Sequence, residues 1–281
     1  MSNEWRGFKT QSISVDGGTV SVTVGGSGPP ILLLHGYAET SLMWKPLAEV
    51  LAPTATVIAP DLPGIGESSI PTSGIDMKSS AQRVHAAVAA LGFNKVCVVG
   101  HDIGLMVAYA YAAMYPQEVE KLVLMDAFLP GVPGWEAIYN SPGVWHFRFY
   151  GETPEALVAG RERIFFEHFW NNFAADKTRS IPETERRAYT LAYSGPGRMA
   201  AGFAYFAAFP KTAMDFAELA KTKLAMPLLS IGGEKSLGVA LGAQARLVAT
   251  DVQVIVIEDA GHWIMEESPI KTIAVLKHFL Q

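Results

Sequence analysis

The chain has one cysteine, Cys97, in 281 residues, so it cannot close an internal disulfide. That thiol sits inside an apolar run, where a small buried side chain is expected. Charge is also scarce. Asp, Glu, Lys and Arg make up 17% of the residues, below the usual quarter, and the formal net charge is −5. There is no basic block, which argues against nucleic acid as a partner. No uninterrupted apolar stretch is long enough to cross a bilayer, and Met1 to Lys9 has no apolar signal core. A soluble cytoplasmic protein without membrane contact is the simplest expectation. Internal repeats and low-complexity tracts are absent too.

What the chain does have is apolar residues, at 49%, and these fall in a pattern. Gln11 to Val15 and Thr19 to Val24 are β-rich runs around a hairpin signal, Asp16-Gly17-Gly18. Ile31 to Leu34, Thr56 to Ala59, Val96 to Val99 and Lys121 to Met125 are short apolar runs of the kind buried on both faces of a sheet. Helical spacing separates them over Ser41 to Leu51, Asp76 to Leu91 (with Gly92 as C-cap) and the stretch ending at Met114. Such alternation predicts an α/β fold with a mostly parallel sheet and helices on both faces.

The alternation stops after Leu129. Pro130 to about Thr222 reads as helices and turns with no convincing strand. Thr153-Pro154-Glu155 reads as a helix start and Thr212-Ala213-Met214-Asp215 as a capping box. A segment this long cannot be a simple loop. The expected organisation is core over 1–129, a helical cap over 130–222, and core again over 223–281. Strands resume at Leu228 to Ile231 and Val252 to Ile257, and a last helix ends near His278.

Gly100-His101-Asp102-Ile103-Gly104 lies between the Val96 to Val99 strand and a small-residue helix. This is the frame of a nucleophile elbow, where glycines let a strand turn sharply into a helix. Most elbows carry serine, which attacks acyl carbon. Asp102 points elsewhere, because a carboxylate can displace a leaving group at saturated carbon and form an enzyme ester. A helix-capping acid is the bland alternative, and the flanking glycines disfavour it. His262, in Ala260-Gly261-His262-Trp263 after the last strand, is placed to be the general base. Two acids compete to orient it: Asp126, directly after Lys121 to Met125, and Glu234 in Gly232-Gly233-Glu234-Lys235-Ser236. Asp126 is preferred, and Glu234 is expected to be solvated.

The loop His35-Gly36-Tyr37 is placed to supply the backbone N–H of Tyr37 to an oxyanion hole, with Ile103 N–H as the second donor. His35 and His101 are expected to be structural, and His85, His168 and His278 to have surface or packing roles. An opening epoxide also needs hydrogen-bond donors facing the nucleophile. His146 in Trp145-His146-Phe147 and Tyr205 in Phe203-Ala204-Tyr205-Phe206 are the candidates, against aromatic packing.

With these motifs in family order, the chain resembles the epoxide hydrolase-like branch of the α/β-hydrolases over nearly its whole length. The acid at Asp126 and the Trp145-His146-Phe147 motif resemble the bacterial Cif-type epoxide hydrolases, which pair a cap histidine with a tyrosine. The resemblance implies an eight-stranded α/β-hydrolase sheet, no cofactor or metal, and a small hydrophobic epoxide and water as substrates. It leaves a homodimer open. Three positions depart from the family pattern. Ala38 replaces a common proline, and Ser236 takes a slot where many relatives carry the acid. Tyr205-Phe206-Ala207 stands where relatives often have Tyr-Tyr-Arg, so if the second ring is the required acid, Phe206 cannot serve.

Haloacid and haloalkane dehalogenases share the Asp elbow and are the rival enzymes. Haloalkane dehalogenases usually carry a halide-binding tryptophan where this chain has Ile103. Fluoroacetate dehalogenases use arginines near the elbow, where this chain has Ile103, Leu105 and Met106. A ligand receptor on the same fold is the non-enzymatic alternative. An intact Asp102, Asp126 and His262 set argues against it.

Overall fold

The computed structural model describes residues 5–281. The chain opens with an antiparallel hairpin of β1 (Phe8–Val15) and β2 (Gly18–Gly26), turning at Gly17, whose φ of 75° suits glycine. There follow β3 (Pro30–Leu34), α1 (Lys45–Leu51), β4 (Thr56–Pro60), α2 (Met77–Ala90), β5 (Val96–His101), α3 (Ile103–Met114) and β6 (Val119–Met125). Asp76 caps α2 through a reciprocal hydrogen-bond pair with Ser79.

Between β6 and β7 lie α4 (Trp135–Tyr139), α5 (Glu152–Val158), α6 (Glu162–Asn172), α7 (Glu183–Tyr193), α8 (Arg198–Ala207) and α9 (Phe209–Leu219), with a 3-10 segment over Pro142–Arg148. Two expected helix starts move. Thr153 lies inside α5, whose N-cap is Gly151, and Thr212 lies inside α9, which begins at Phe209 with Pro210 in its first turn. Proline at a first turn leaves no donor unpaired, so it marks the start better than the later Thr212 does. The fold closes with β7 (Leu228–Gly233), α10 (Ala240–Val248), β8 (Val252–Ile257), α11 (Ile264–Glu267) and α12 (Pro269–Leu280).

The eight strands form one sheet in the order β1-β2-β4-β3-β5-β6-β7-β8. From β4 to β8 every pairing is parallel, and only the β1–β2 and β2–β4 pairs run antiparallel. All residues of β5 are buried, as are most of β3, β6 and β7, which explains their unbroken apolar sequences. The helical insertion is held to the core by aromatic donors that reach backbone carbonyls across the boundary. Trp170 Nε1–H donates to Ala38 O (3.2 Å), the Tyr193 hydroxyl to Glu39 O (3.2 Å), and Trp263 Nε1–H to Phe169 O (3.2 Å). The amphipathic character of these side chains lets one residue fill a hydrophobic space and satisfy a backbone group. Among the described residues no helix is long and apolar enough to cross a membrane.

Candidate active site

Asp102 sits at the tip of the β5–α3 turn with φ 51° and ψ −124°, a conformation that costs a non-glycine residue about 1–3 kcal/mol. The flanking glycines make the turn possible. A Cβ at Gly100 would run into the Gly104 carbonyl, and one at Gly104 would run into the backbone of Leu34 and His35. The tight turn aims the Asp102 carboxylate away from the sheet, between two loops. Tyr37 N–H donates to Asp102 Oδ1 at 2.8 Å, and Asp102 Oδ2 lies 3.6 Å from His262 Nε2. Ile103 opens α3, where a backbone N–H has no intrahelical acceptor.

His262 Nδ1–H donates to Asp126 Oδ2 at 2.8 Å. Asp126 follows β6 with φ 49° and is fixed on three sides: its Oδ1 accepts from Gly233 N–H (2.9 Å), and its Oδ2 also accepts from the Ser236 hydroxyl (2.7 Å). Ser236 therefore holds the orienting acid in place. Glu234 faces elsewhere, accepting from Asp259 N–H at 3.1 Å and pairing with Lys235 at 3.2 Å.

Burial alone would discharge His262. The hydrogen bond to Asp126 and its charge, with Asp102 adding to it, lift the imidazolium instead to about 9. The resting site is thus one cation between two carboxylates.

Behind it lies a polar layer that sequence reasoning missed. His101 Nε2–H donates to the His262 carbonyl (2.9 Å), so the neutral ring offers Nδ1 as an acceptor to Glu39 Oε2, 3.2 Å away. That contact requires Glu39 to carry a proton. Burial supplies the reason, pushing its carboxyl up to about 8, and Glu266 beside it is raised well above the ordinary range by the same cause. Burial also lowers His101, which keeps the ring neutral. Both acids stand close to motif residues, yet nothing in a sequence separates a buried carboxyl from a solvated one. His35, as expected, ties loops together: its Nδ1–H donates to Gly36 O and its Nε2 accepts from Leu62 N–H.

A cavity of about 320 Å³ opens over Asp102 and His262. Its walls come from the core loops and from the insertion, and they are predominantly apolar and rich in aromatic rings. His146 lies on this wall, buried, with its ring 4.6 to 5.3 Å from those of Phe147, Phe169 and Phe206. Desolvation by these rings drops its pKa to about 3, so it is neutral. Its Nδ1 is buried without a partner. Tyr205 is not on the wall. Its hydroxyl donates to Pro63 O at 2.9 Å and lies 3.3 Å from Ser80 Oγ, on the far side of α8. Successive helical residues point about 100° apart, so the phase of α8 brings Phe206 to the cavity and turns Tyr205 to the core. Among the described residues no group of three or more His, Cys, Asp or Glu side chains is placed to hold a metal ion.

A sheet of this order, with a glycine-flanked strained acid after β5 and a histidine after β8, has the architecture of the α/β hydrolases. The model of the alpha/beta hydrolase fold family matches residues 29–269, and the chain belongs to that family, on its epoxide hydrolase-like side. It is 30% identical to a soluble epoxide hydrolase from Corynebacterium sp. (strain C12) over 262 residues, 91% of each chain. It is 31% identical to a fluoroacetate dehalogenase from Burkholderia sp. over 173 residues, 58% of this chain and 57% of the relative. Among solved structures, Cfl2 from Burkholderia cenocepacia superposes with a TM-score of 0.89 at 30% identity, covering 98% of this chain and 96% of that one.

Proposed function

We propose that the chain is a cofactor-independent epoxide hydrolase, with residues 130–222 acting as a cap over Asp102. The observation that carries this reading is the split environment of the Asp102 carboxylate. Oδ1 is held by Tyr37 N–H, where an oxyanion would sit, while Oδ2 has no backbone donor and faces the cavity. Asp102 Oδ2 attacks an epoxide carbon, forming the ester bond as the C–O bond breaks and its electron pair moves to oxygen. His146 stabilises that oxygen. An orphaned N–H is rarer in buried sites than an orphaned lone pair, so the proton belongs on Nε2, facing the cavity, with bare Nδ1 in the apolar wall. A neutral imidazole of this kind donates a hydrogen bond but does not release its proton, so water protonates the alkoxide.

Esterification removes the negative charge of Asp102, one of the groups that hold the His262 imidazolium. His262 then gives its proton to the hydroxide left when water protonated the alkoxide and, now neutral, takes one from a water that attacks the ester carbonyl carbon. Tyr37 N–H and Ile103 N–H hold the resulting oxyanion. Collapse of the intermediate expels the substrate oxygen, which takes the proton of the new Asp102 carboxyl, so the carboxylate returns and a vicinal diol leaves. The relationship to a soluble epoxide hydrolase supports this reading. A second reading, dehalogenation by the same Asp102, draws support from the fluoroacetate dehalogenase relative. Among the described residues no arginine lines the cavity to hold a haloacid carboxylate, so it ranks second.

One turnover in ¹⁸O-water decides the mechanism. The label enters Asp102 and not the first diol; direct labelling of that diol would overturn the ester. A His262→Gln variant accumulates an adduct of epoxide mass on the peptide bearing Asp102. Halide release measured beside diol formation separates the two enzymatic readings.

A further inference from the structure

Resting on the epoxide reading, we infer that Phe206 makes this site selective for small epoxides whose reacting carbon bears an aromatic ring. The cavity offers few donors to the departing oxygen. Of the polar side chains on its wall, Ser236 is committed to Asp126, Asn172 Nδ2 to His168, and Lys235 to Glu234. His262 and Asp126 serve the nucleophile. What remains is neutral N–H, on His146 and on the Trp135 indole, and the ring beside His146 at 5.3 Å is Phe206, which has no proton to offer. Tyr139 carries the other hydroxyl on the wall, but its ring packs on Trp135, Phe147 and Phe209 and under the Arg148 guanidinium, away from His146.

An alkyl epoxide opening in this cavity would therefore place a nearly full alkoxide charge against neutral N–H groups alone, with no acidic hydroxyl beside His146. Acid assistance is worth about 100-fold or more to such a step. A ring-bearing carbon changes the demand. As Asp102 Oδ2 bonds to it and the C–O pair moves to oxygen, positive charge on carbon spreads into the substrate's ring and bond breaking needs less help. The wall suits that charge. Phe147, Phe206 and Phe209 all line the cavity, the first two stacked at 5.6 Å and 25° with the third edge-on to both, so a cluster of rings borders the reacting carbon. Aromatic rings attract developing cationic charge. A volume of about 320 Å³ lies at the small end of ligand cavities and accommodates one or two rings.

The test compares styrene oxide with 1,2-epoxyhexane on the wild-type enzyme, on Phe206→Tyr and on Tyr139→Phe. Adduct formation on the His262→Gln variant is followed with both compounds. Expected is a kcat/KM ratio of about 100 for the aryl epoxide. Over many turnovers in ¹⁸O-water, label enters the diol at the ring-bearing carbon. Phe206→Tyr is expected to shrink the ratio about tenfold by gain on the alkyl epoxide, and Tyr139→Phe to leave it unchanged. A wild-type ratio near one, label at the terminal carbon, or a ratio unmoved in Phe206→Tyr overturns the inference while the adduct upholds epoxide hydrolysis. A collapse of aryl turnover in Tyr139→Phe overturns it too, by making Tyr139 the second donor. Absence of an adduct from either compound overturns both readings together.

Discussion

The two walls of the cavity are built by different rules. On the core side, backbone geometry places each candidate group: Asp102 by a turn that tolerates only glycine at Gly100 and Gly104, and Asp126 by a left-handed residue at a strand end. His262 sits on a loop whose N–H donates to Phe173 O at 2.8 Å. On the insertion side, helix phase and aromatic packing decide which side chain reaches the cavity. A shift of one residue along α8 exchanges Tyr205 for Phe206, a phenol for a hydrocarbon. Core chemistry is thus set by short local patterns, and insertion chemistry by the packing of several helices at once.

The comparison is broken hardest by Asp102→Asn. If the core wall carries the bond-making step, this variant loses diol formation by about 10⁴-fold or more and forms no adduct, an effect in the range of removing a nucleophile. The same variant reads the electrostatics. Removing the Asp102 charge should lower the His262 pKa from about 9 by about 1–3 units, followed by NMR of the labelled imidazole. Because the folded pKa lies above the ordinary histidine value, the contribution of His262 to stability is complete below about pH 6.5 and is lost as pH rises through about 9. Urea titrations should show wild type weakening across that window and Asp102→Asn weakening less.

His146→Ala tests the opposite wall. If His146 donates to the opening oxygen as proposed, adduct formation should slow by about 10²–10³-fold, as for loss of one oxyanion donor. Hydrolysis of a preformed adduct should change little, because that step uses Tyr37, Ile103 and His262. Equal slowing of both steps in a rapid-quench experiment would place His146 in the core machinery.

What was legible in the sequence follows the same division. The strands, their parallel order and the Asp102, Asp126 and His262 constellation rest on patterns of a few residues, each with a steric or topological cause. The choice of Asp126 over Glu234 was readable because serine at position 236 cannot carry charge, although its hydrogen bond to Asp126 was not. Glu39 and Glu266 were invisible: their burial comes from elements far apart in the chain. Tyr205 and Phe206 are adjacent aromatics of similar size, and periodicity within one helix cannot say which face the neighbouring helices will cover. The start of α9 was misread for a related reason, since Thr212 has the chemistry of a cap but Pro210 sets the turn.

Gly104→Ala separates the scaffold from the chemistry on the core side. The added methyl meets the backbone of β3, which cannot yield as a side chain could, and overpacking of this kind costs about 3 kcal/mol. Chemical denaturation measures the loss. Retention of wild-type stability would mean the elbow is softer than its contacts imply.

The smallest expected effect is the sharpest for the insertion. Tyr205→Phe removes one buried hydroxyl, leaving Pro63 O and Ser80 Oγ to find other partners. Each such bond contributes about 1 kcal/mol net, so the loss in stability should be of that order. Activity should hold, because the hydroxyl points away from the cavity and no step uses it. A catalytic phenol would behave in the opposite way, with turnover falling steeply and stability nearly level. Urea midpoints measured beside kcat and KM on one epoxide therefore assign Tyr205 to the fold or to the reaction, and with it the phase of α8 over Asp102.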